Sequence, residues 1–136
     1  MDTGFPGGNI LVESVDGAQV VVRQVVGQSM EWWFHWAFRV GNLSGRELSV
    51  SFSNGEVVGP HGPAVSLDGV SWEWATGVTG HTATSFTCRL PDWVTSAWFA
   101  VAPLYQLHHF NRFVERYEHH PAVVRCSLGR TAGGRD

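Results

Sequence analysis

The sequence predicts an all-β domain, an antiparallel β-sandwich of about seven to nine strands with one C-terminal helix. Three observations carry that expectation. Glu31–Val40 alternates over ten residues, with Trp32, Phe34, Trp36, Phe38 and Val40 apolar and Glu31, Trp33, His35, Ala37 and Arg39 mixed, which is the period of a strand. Sixteen glycines and six prolines cut the chain into short alternating runs separated by turn residues. A helical period appears only once, after Pro103. Burying a large aromatic is worth roughly 2–3 kcal/mol, so the aromatic strand carries much of the core and needs a second sheet to cover it.

The elements follow in order. Residues 1–8 are small and are expected to fray. Ile10–Val15 and Ala18–Arg23 flank Asp16-Gly17, which supplies the positive φ of a tight hairpin. The aromatic strand ends at the turn Gly41–Gly45. Arg46–Ser53 alternates again, with Leu48, Val50 and Phe52 inward and serines outward, as in an antiparallel sheet with one wet face. A Gly/Pro loop, Asn54–Pro63, precedes Ala64–Leu67 and Val70–Trp74, two runs joined by Asp68-Gly69. Thr82–Leu90 is polar and Thr-rich, and reads as an edge strand. Trp93–Ala102 is apolar on both faces in its second half and reads as a central strand, ended by Pro103. Tyr105, Leu107 (or His108), Phe110, Phe113, Val114 and Tyr117 then recur at helical spacing, predicting a helix over about Leu107–His119 stopped by Pro121. Ala122–Leu128 is a last strand-like run.

Composition narrows the function. The chain has 136 residues, one domain's worth, and a net charge of −3 with its basic residues scattered, which gives no nucleic-acid groove. No apolar run approaches the roughly 18 residues of a membrane span, and residues 1–8 lack the pattern of a secretory signal. A soluble, cytoplasmic protein is the expectation. Cys88 and Cys126 permit at most one disulfide, lack any CxxC spacing, and read as two small thiols.

Catalytic chemistry is thinly represented. The seven histidines are His35, His61, His81, His108, His109, His119 and His120. None is followed three residues on by Glu, and no HExxH occurs. The adjacent pairs point about 100° apart on a helix and make poor chelates. They read as solvated helix and loop histidines, and His35 as a half-buried, hydrogen-bonded one. Nothing forces Glu73, Asp92, Glu115 or Glu118 together as an acid/base pair. No nucleophile elbow, dinucleotide fingerprint or P-loop is present. Trp72, Trp74 and Trp93 lie near turns and are the candidate ligand or interface surface, as a stacking platform for sugar rings or peptides; ordinary packing is the competing reading.

The ordered landmarks Arg39-Val-Gly-Asn42, Ser51-Phe-Ser-Asn54, Gly62-Pro-Ala-Val-Ser-Leu-Asp-Gly-Val-Ser-Trp72, Phe99-Ala-Val-Ala-Pro-Leu-Tyr105 and Cys126-Ser-Leu-Gly-Arg-Thr-Ala-Gly-Gly-Arg135 form a familiar series. From about Gly27 to Asp136 the chain resembles the N-terminal β-sandwich domain that precedes the catalytic domain of cytosolic-type, deglutamylase-like zinc metallocarboxypeptidases. The Asp68-Gly-Val-Ser-Trp72 stretch and the terminal Leu-Gly-x-Thr-x-x-Gly-Arg are its most specific parts. Pro103-Leu104-Tyr105 departs from the Pro-Tyr that is usual after the apolar strand.

The resemblance implies a sandwich domain over residues 1–120, then a linker and the first strand of a catalytic domain over residues 121–136. It implies a parent enzyme that removes C-terminal residues, with zinc, its His-x-x-Glu ligands and its general base all downstream. No catalytic residue, metal ligand or cofactor is therefore assigned to this chain. The expected partner is the chain's own downstream catalytic domain, with Trp33, His35 and Arg39 as one guess at the contact face. Self-association through an unpaired strand at 122–128 is expected as well. A free-standing carbohydrate- or peptide-binding module is the alternative, and a small metalloenzyme built on the histidine pairs is the third reading.

Overall fold

A computed structural model describes residues 1–26 and 34–134. The chain divides into two compact units, Met1–Leu104 and Tyr105–Asp136. The first is a β-sandwich and the second holds the helix, which the sequence reading had placed with the sandwich.

The described residues of the first unit form nine strands in two sheets. They are β1 (Ile10–Asp16), β2 (Gln19–Gln24), β3 (Ala37–Gly41), β4 (Glu47–Phe52), β5 (Ala64–Ser66), β6 (Glu73–Trp74), β7 (Val78–His81), β8 (Ser85–Arg89) and β9 (Ser96–Ala100). One sheet runs β1-β2-β4-β8-β7 and the other β3-β9-β5-β6. The inner faces supply one core. Val20, Val22, Leu48, Val50, Phe52, Phe86 and Cys88 come from the first sheet, and Phe38, Val40, Val65, Ala97 and Phe99 from the second. Phe86 meets Phe99 across the gap with ring centroids 5.7 Å apart. Trp36, just before β3, is fully buried between Phe38 and Phe52.

The alternation of β4 survives as read, with Leu48, Val50 and Phe52 buried. β9 is central, paired on both sides by β3 and β5. The hairpin β1–β2 turns at Gly17, whose φ is 60°. Several expectations need correction. The sheets are not wholly antiparallel, because β2 and β4 pair in parallel. The chain crosses to the other sheet as β3 before returning beside β2, and such a crossover leaves the two strands pointing the same way. β8 is not an edge. It lies between β4 and β7, its polar positions face outward, and Phe86 and Cys88 fill the core. The edge on that side is β7, which alternation did not reveal because Val78-Thr-Gly-His81 has a single large apolar residue.

The N-terminus is not loose. Asp2 exchanges two 2.8 Å backbone hydrogen bonds with Arg39, satisfying the free edge of β3, and the Asn9 N–H donates to the Ala37 carbonyl at 2.9 Å. Among the described residues of the ten-residue aromatic run, Ala37–Val40 belong to a strand and Phe34–Trp36 do not. Glu31, Trp32 and Trp33 lie outside the described residues, and Phe34 is exposed rather than buried.

In the second unit α1 spans Leu107–Tyr117. His109 caps its first turn, its Nδ1 accepting the Gln106 backbone N–H at 3.0 Å. None of its residues is buried. Ala122–Leu128 is not a strand, and Val124 and Leu128 are exposed. A strand needs a neighbour to pair with, and none is paired there. Among the described residues no helix is long and apolar enough to cross a membrane.

Candidate functional site

Chemically distinctive side chains of the sandwich gather on the outer face of the four-stranded sheet and the loop beside it. The register places Arg39, Trp98 and Ser66 in one row across β3, β9 and β5. The Arg39 guanidinium lies 4.7 Å from the Trp98 ring centre, and its Nη2 donates to Ser96 Oγ at 3.3 Å. Its Nε is shielded from solvent and unbonded among the described residues. A stacked, half-buried guanidinium of this kind is worth about 0.5–2 kcal/mol through the ring.

The loop after β5 is built by one carboxylate. Asp68 Oδ1 accepts from the Ser71 N–H at 2.7 Å, the Val70 N–H at 2.8 Å and the buried Ser66 hydroxyl at 3.0 Å. The two backbone donors, Ser71 foremost, hold the Asp68 carboxyl well below the usual carboxylate range. Ser66 Oγ in turn accepts from the Gly69 N–H at 2.9 Å. Gly69 has φ 76°, and a Cβ there would stand 3.3 Å from the Trp98 ring, so glycine lets the loop settle on that indole. Because Val70 and Ser71 give their N–H groups to Asp68, they cannot extend the ladder. The run read as a strand from Val70 starts only at Glu73.

A cavity of about 330 Å³ opens beside this loop, lined by Val65, Leu67, Asp68, Ser71, Trp72 and Glu73. Trp72 is half-buried there, and its Nε1 is shielded and unbonded among the described residues. Trp74 pairs with Ala64 and packs against His61 with ring centroids 5.1 Å apart. Trp93 stands 73% exposed in the turn before β9. Ala64 pairs with Ala100, the last residue of β9, whereas Trp93 precedes Ser96, the first. Trp74 thus lies towards the Ala100 end of β9, and Trp93 precedes its Ser96 end.

A second opening, of about 400 Å³, is lined by Met1, Val15, Val20, Val40, Leu43 and Leu48 among others. β1 runs along the edge of its sheet, and beyond Ile10 all its residues are exposed, Leu11, Val12 and Val15 included.

The histidines serve local structure. His35 Nε2 donates to the Gly7 carbonyl at 2.9 Å, and His81 Nε2 to that of Pro60 at 3.2 Å. His120 Nδ1 accepts the Ala122 N–H at 3.2 Å. The His108 and His109 rings lie 3.8 Å apart. Among the described residues no three His, Cys, Asp or Glu side chains come together as metal ligands. Cys88 and Cys126 are both free thiols. What the site can do chemically is present a stacked cation, two carboxylates (Asp68 and Glu73) and indole surface. The Arg39–Trp98 stack was invisible in the sequence because 59 residues separate its members. The Asp68 lock had a signal in the Asp-Gly turn pair.

No protein-family model matches this chain, and no curated protein does. Solved structures do match. A metallo-carboxypeptidase from Burkholderia cenocepacia is 22% identical over 98% of this chain, with a TM-score of 0.78. A metallo-carboxypeptidase from Pseudomonas aeruginosa, solved in complex with (2-guanidinoethylmercapto)succinic acid, is 19% identical over 99%, with a TM-score of 0.74. This chain covers 37% and 38% of those two chains respectively. The protein is therefore similar in fold to one part of metallo-carboxypeptidase chains and spans little more than a third of their length.

Proposed function

We propose that this chain is the non-catalytic N-terminal domain of a zinc metallocarboxypeptidase, which packs on the catalytic domain and helps shape the entrance for a polypeptide C-terminus. One observation carries the reading. The fold match takes in 98–99% of this chain, yet this chain accounts for only 37–38% of the matched metallo-carboxypeptidases. The landmark series from Arg39-Val-Gly-Asn42 to Leu128-Gly-Arg-Thr131 supports the same reading from the sequence side.

On this reading residues 121–136 lead into the catalytic domain, which would hold the zinc, its ligands and the general base. This chain's described residues bring no metal-ligand set together, so no step through the metal is assigned to them. Their contribution is positional: a rigid sandwich with a polar and indole-lined outer face beside the reaction, not within it.

The test is to read the gene past codon 136 and assay its complete product on peptides with a free C-terminus. A downstream frame encoding His-x-x-Glu and a later His, with release of C-terminal residues abolished by a chelator, is the expected result. A stop codon directly after Asp136 would overturn it and turn attention to sugar and peptide ligands at Trp72 and Trp74.

A further inference from the structure

We infer that the apolar stripe of α1 is the surface by which this chain seats against the polypeptide that follows it. The inference rests on the reading above and names the element that makes the contact. Leu107, Phe110, Phe113, Val114 and Tyr117 share one face, a stripe roughly 120° wide at the helical repeat. Asn111, Arg112, Glu115 and Arg116 take the opposite face. Yet no residue of the helix is buried: Leu107 is 63% exposed, and Phe110 and Phe113 keep nearly half their surface.

A helix of eleven residues is marginal in water without tertiary packing, and most of its stability comes from burying its apolar face. An exposed aromatic stripe rimmed by charge is also the usual mark of an interaction surface. Val124 and Leu128, a few residues on, are still more exposed.

The comparison argues for one occupant. The matched metallo-carboxypeptidases share the fold over 98–99% of this chain, so the match reaches into the second unit, and nearly two thirds of each lies outside it. On the reading above, a long polypeptide covalently attached to the same chain would meet the stripe at high effective concentration. It is the occupant to which the geometry points, ahead of a second copy or an unrelated partner. The stripe offers aromatic and branched aliphatic groups, so the docking face is an apolar groove.

Hydrogen exchange along α1 tests this, comparing the complete gene product with residues 1–136. Exchange of the Phe110–Tyr117 amides slowed about 100-fold or more in the complete protein is expected. Phe110→Glu should return it towards the rate of the short chain, while Arg112→Glu on the opposite face leaves it unchanged. Equal exchange in both proteins, in a complete protein that still releases C-terminal residues, would overturn the docking role and leave the carboxypeptidase reading standing. Protection in the short chain that rises with its own concentration would make a second copy the occupant and overturn the inference as well. A complete gene product lacking any catalytic domain would remove both.

Discussion

The indole Nε1 of Trp36 donates to the backbone carbonyl of Val57 at 2.8 Å, inside the core. This one bond ties the irregular Asn54–Pro63 segment to the aromatic cluster. The Trp36 ring lies 4.8 Å from Phe52 and 5.9 Å from Phe86, so a single side chain bridges the two sheets and the loop. Trp36→Phe keeps much of the ring contact but leaves the Val57 carbonyl unpaired, and should cost about 1–3 kcal/mol. Trp36→Ala adds a cavity and should cost about 3–5 kcal/mol. Urea unfolding followed by far-UV circular dichroism would measure both. A Phe variant as stable as the parent would show that the hydrogen bond contributes nothing.

Gly77 and Gly80 make a matched pair at the β7 edge. A Cβ on Gly77 would run into the Arg89 carbonyl, where the Arg89 N–H also donates back to Gly77 at 2.8 Å. A Cβ on Gly80 meets nothing within 4 Å. Gly77→Ala should therefore destabilise the sandwich by about 1–3 kcal/mol through overpacking. Gly80→Ala should be neutral, or stabilising by up to about 1 kcal/mol, because it restricts the unfolded chain. Denaturant midpoints for the two variants check the contrast, and equal midpoints would refute it.

What was legible in the sequence follows from the range of the interactions involved. Strands whose alternation is set by their own residues, such as Glu47–Phe52 and the Ile10–Gln24 hairpin, could be read directly. So could the helix, from the spacing of Leu107, Phe110, Val114 and Tyr117. The failures were decided elsewhere in the chain. β8 looks like an edge until β7 pairs with it, and β7 carries too little pattern to announce itself. Val70 and Ser71 look strand-like, but one carboxylate captures their N–H groups. Of the candidate surface, the sequence showed the tryptophans near turns, whereas the Arg39–Trp98 stack joins residues far apart in the chain and left no local signal.

The two thiols should separate cleanly by reactivity. Cys88 is buried in β8, and burial pushes its thiol up to about 11, whereas Cys126 is exposed. The thiolate is the reactive species, so at pH 8 Cys88 is both protonated and inaccessible. One thiol per chain should react with a disulfide reagent under native conditions, and two in denaturant. Mass mapping should place the native adduct on Cys126. Fast native labelling of Cys88 would mean that β8 opens readily.

The start of α1 should loosen as the solution is acidified. His108 is half-buried, and its pKa lies below the ordinary value of about 6.5, first because desolvation disfavours the imidazolium and then because His109 and Arg112 are close. A base with a depressed pKa in the folded state binds fewer protons there than in the unfolded chain. Its contribution to stability is thus fully present above the unfolded value and is lost as pH falls through the folded one. Between pH 7.5 and pH 5, amide exchange in the first turns of the helix should rise beyond its intrinsic pH trend, because protonating His108 adds a charge beside His109, which caps the first turn through its Nδ1. His108→Gln, polar but uncharged over this range, should flatten that response. If the variant keeps the full pH dependence, the titrating group is not His108 and the assignment fails.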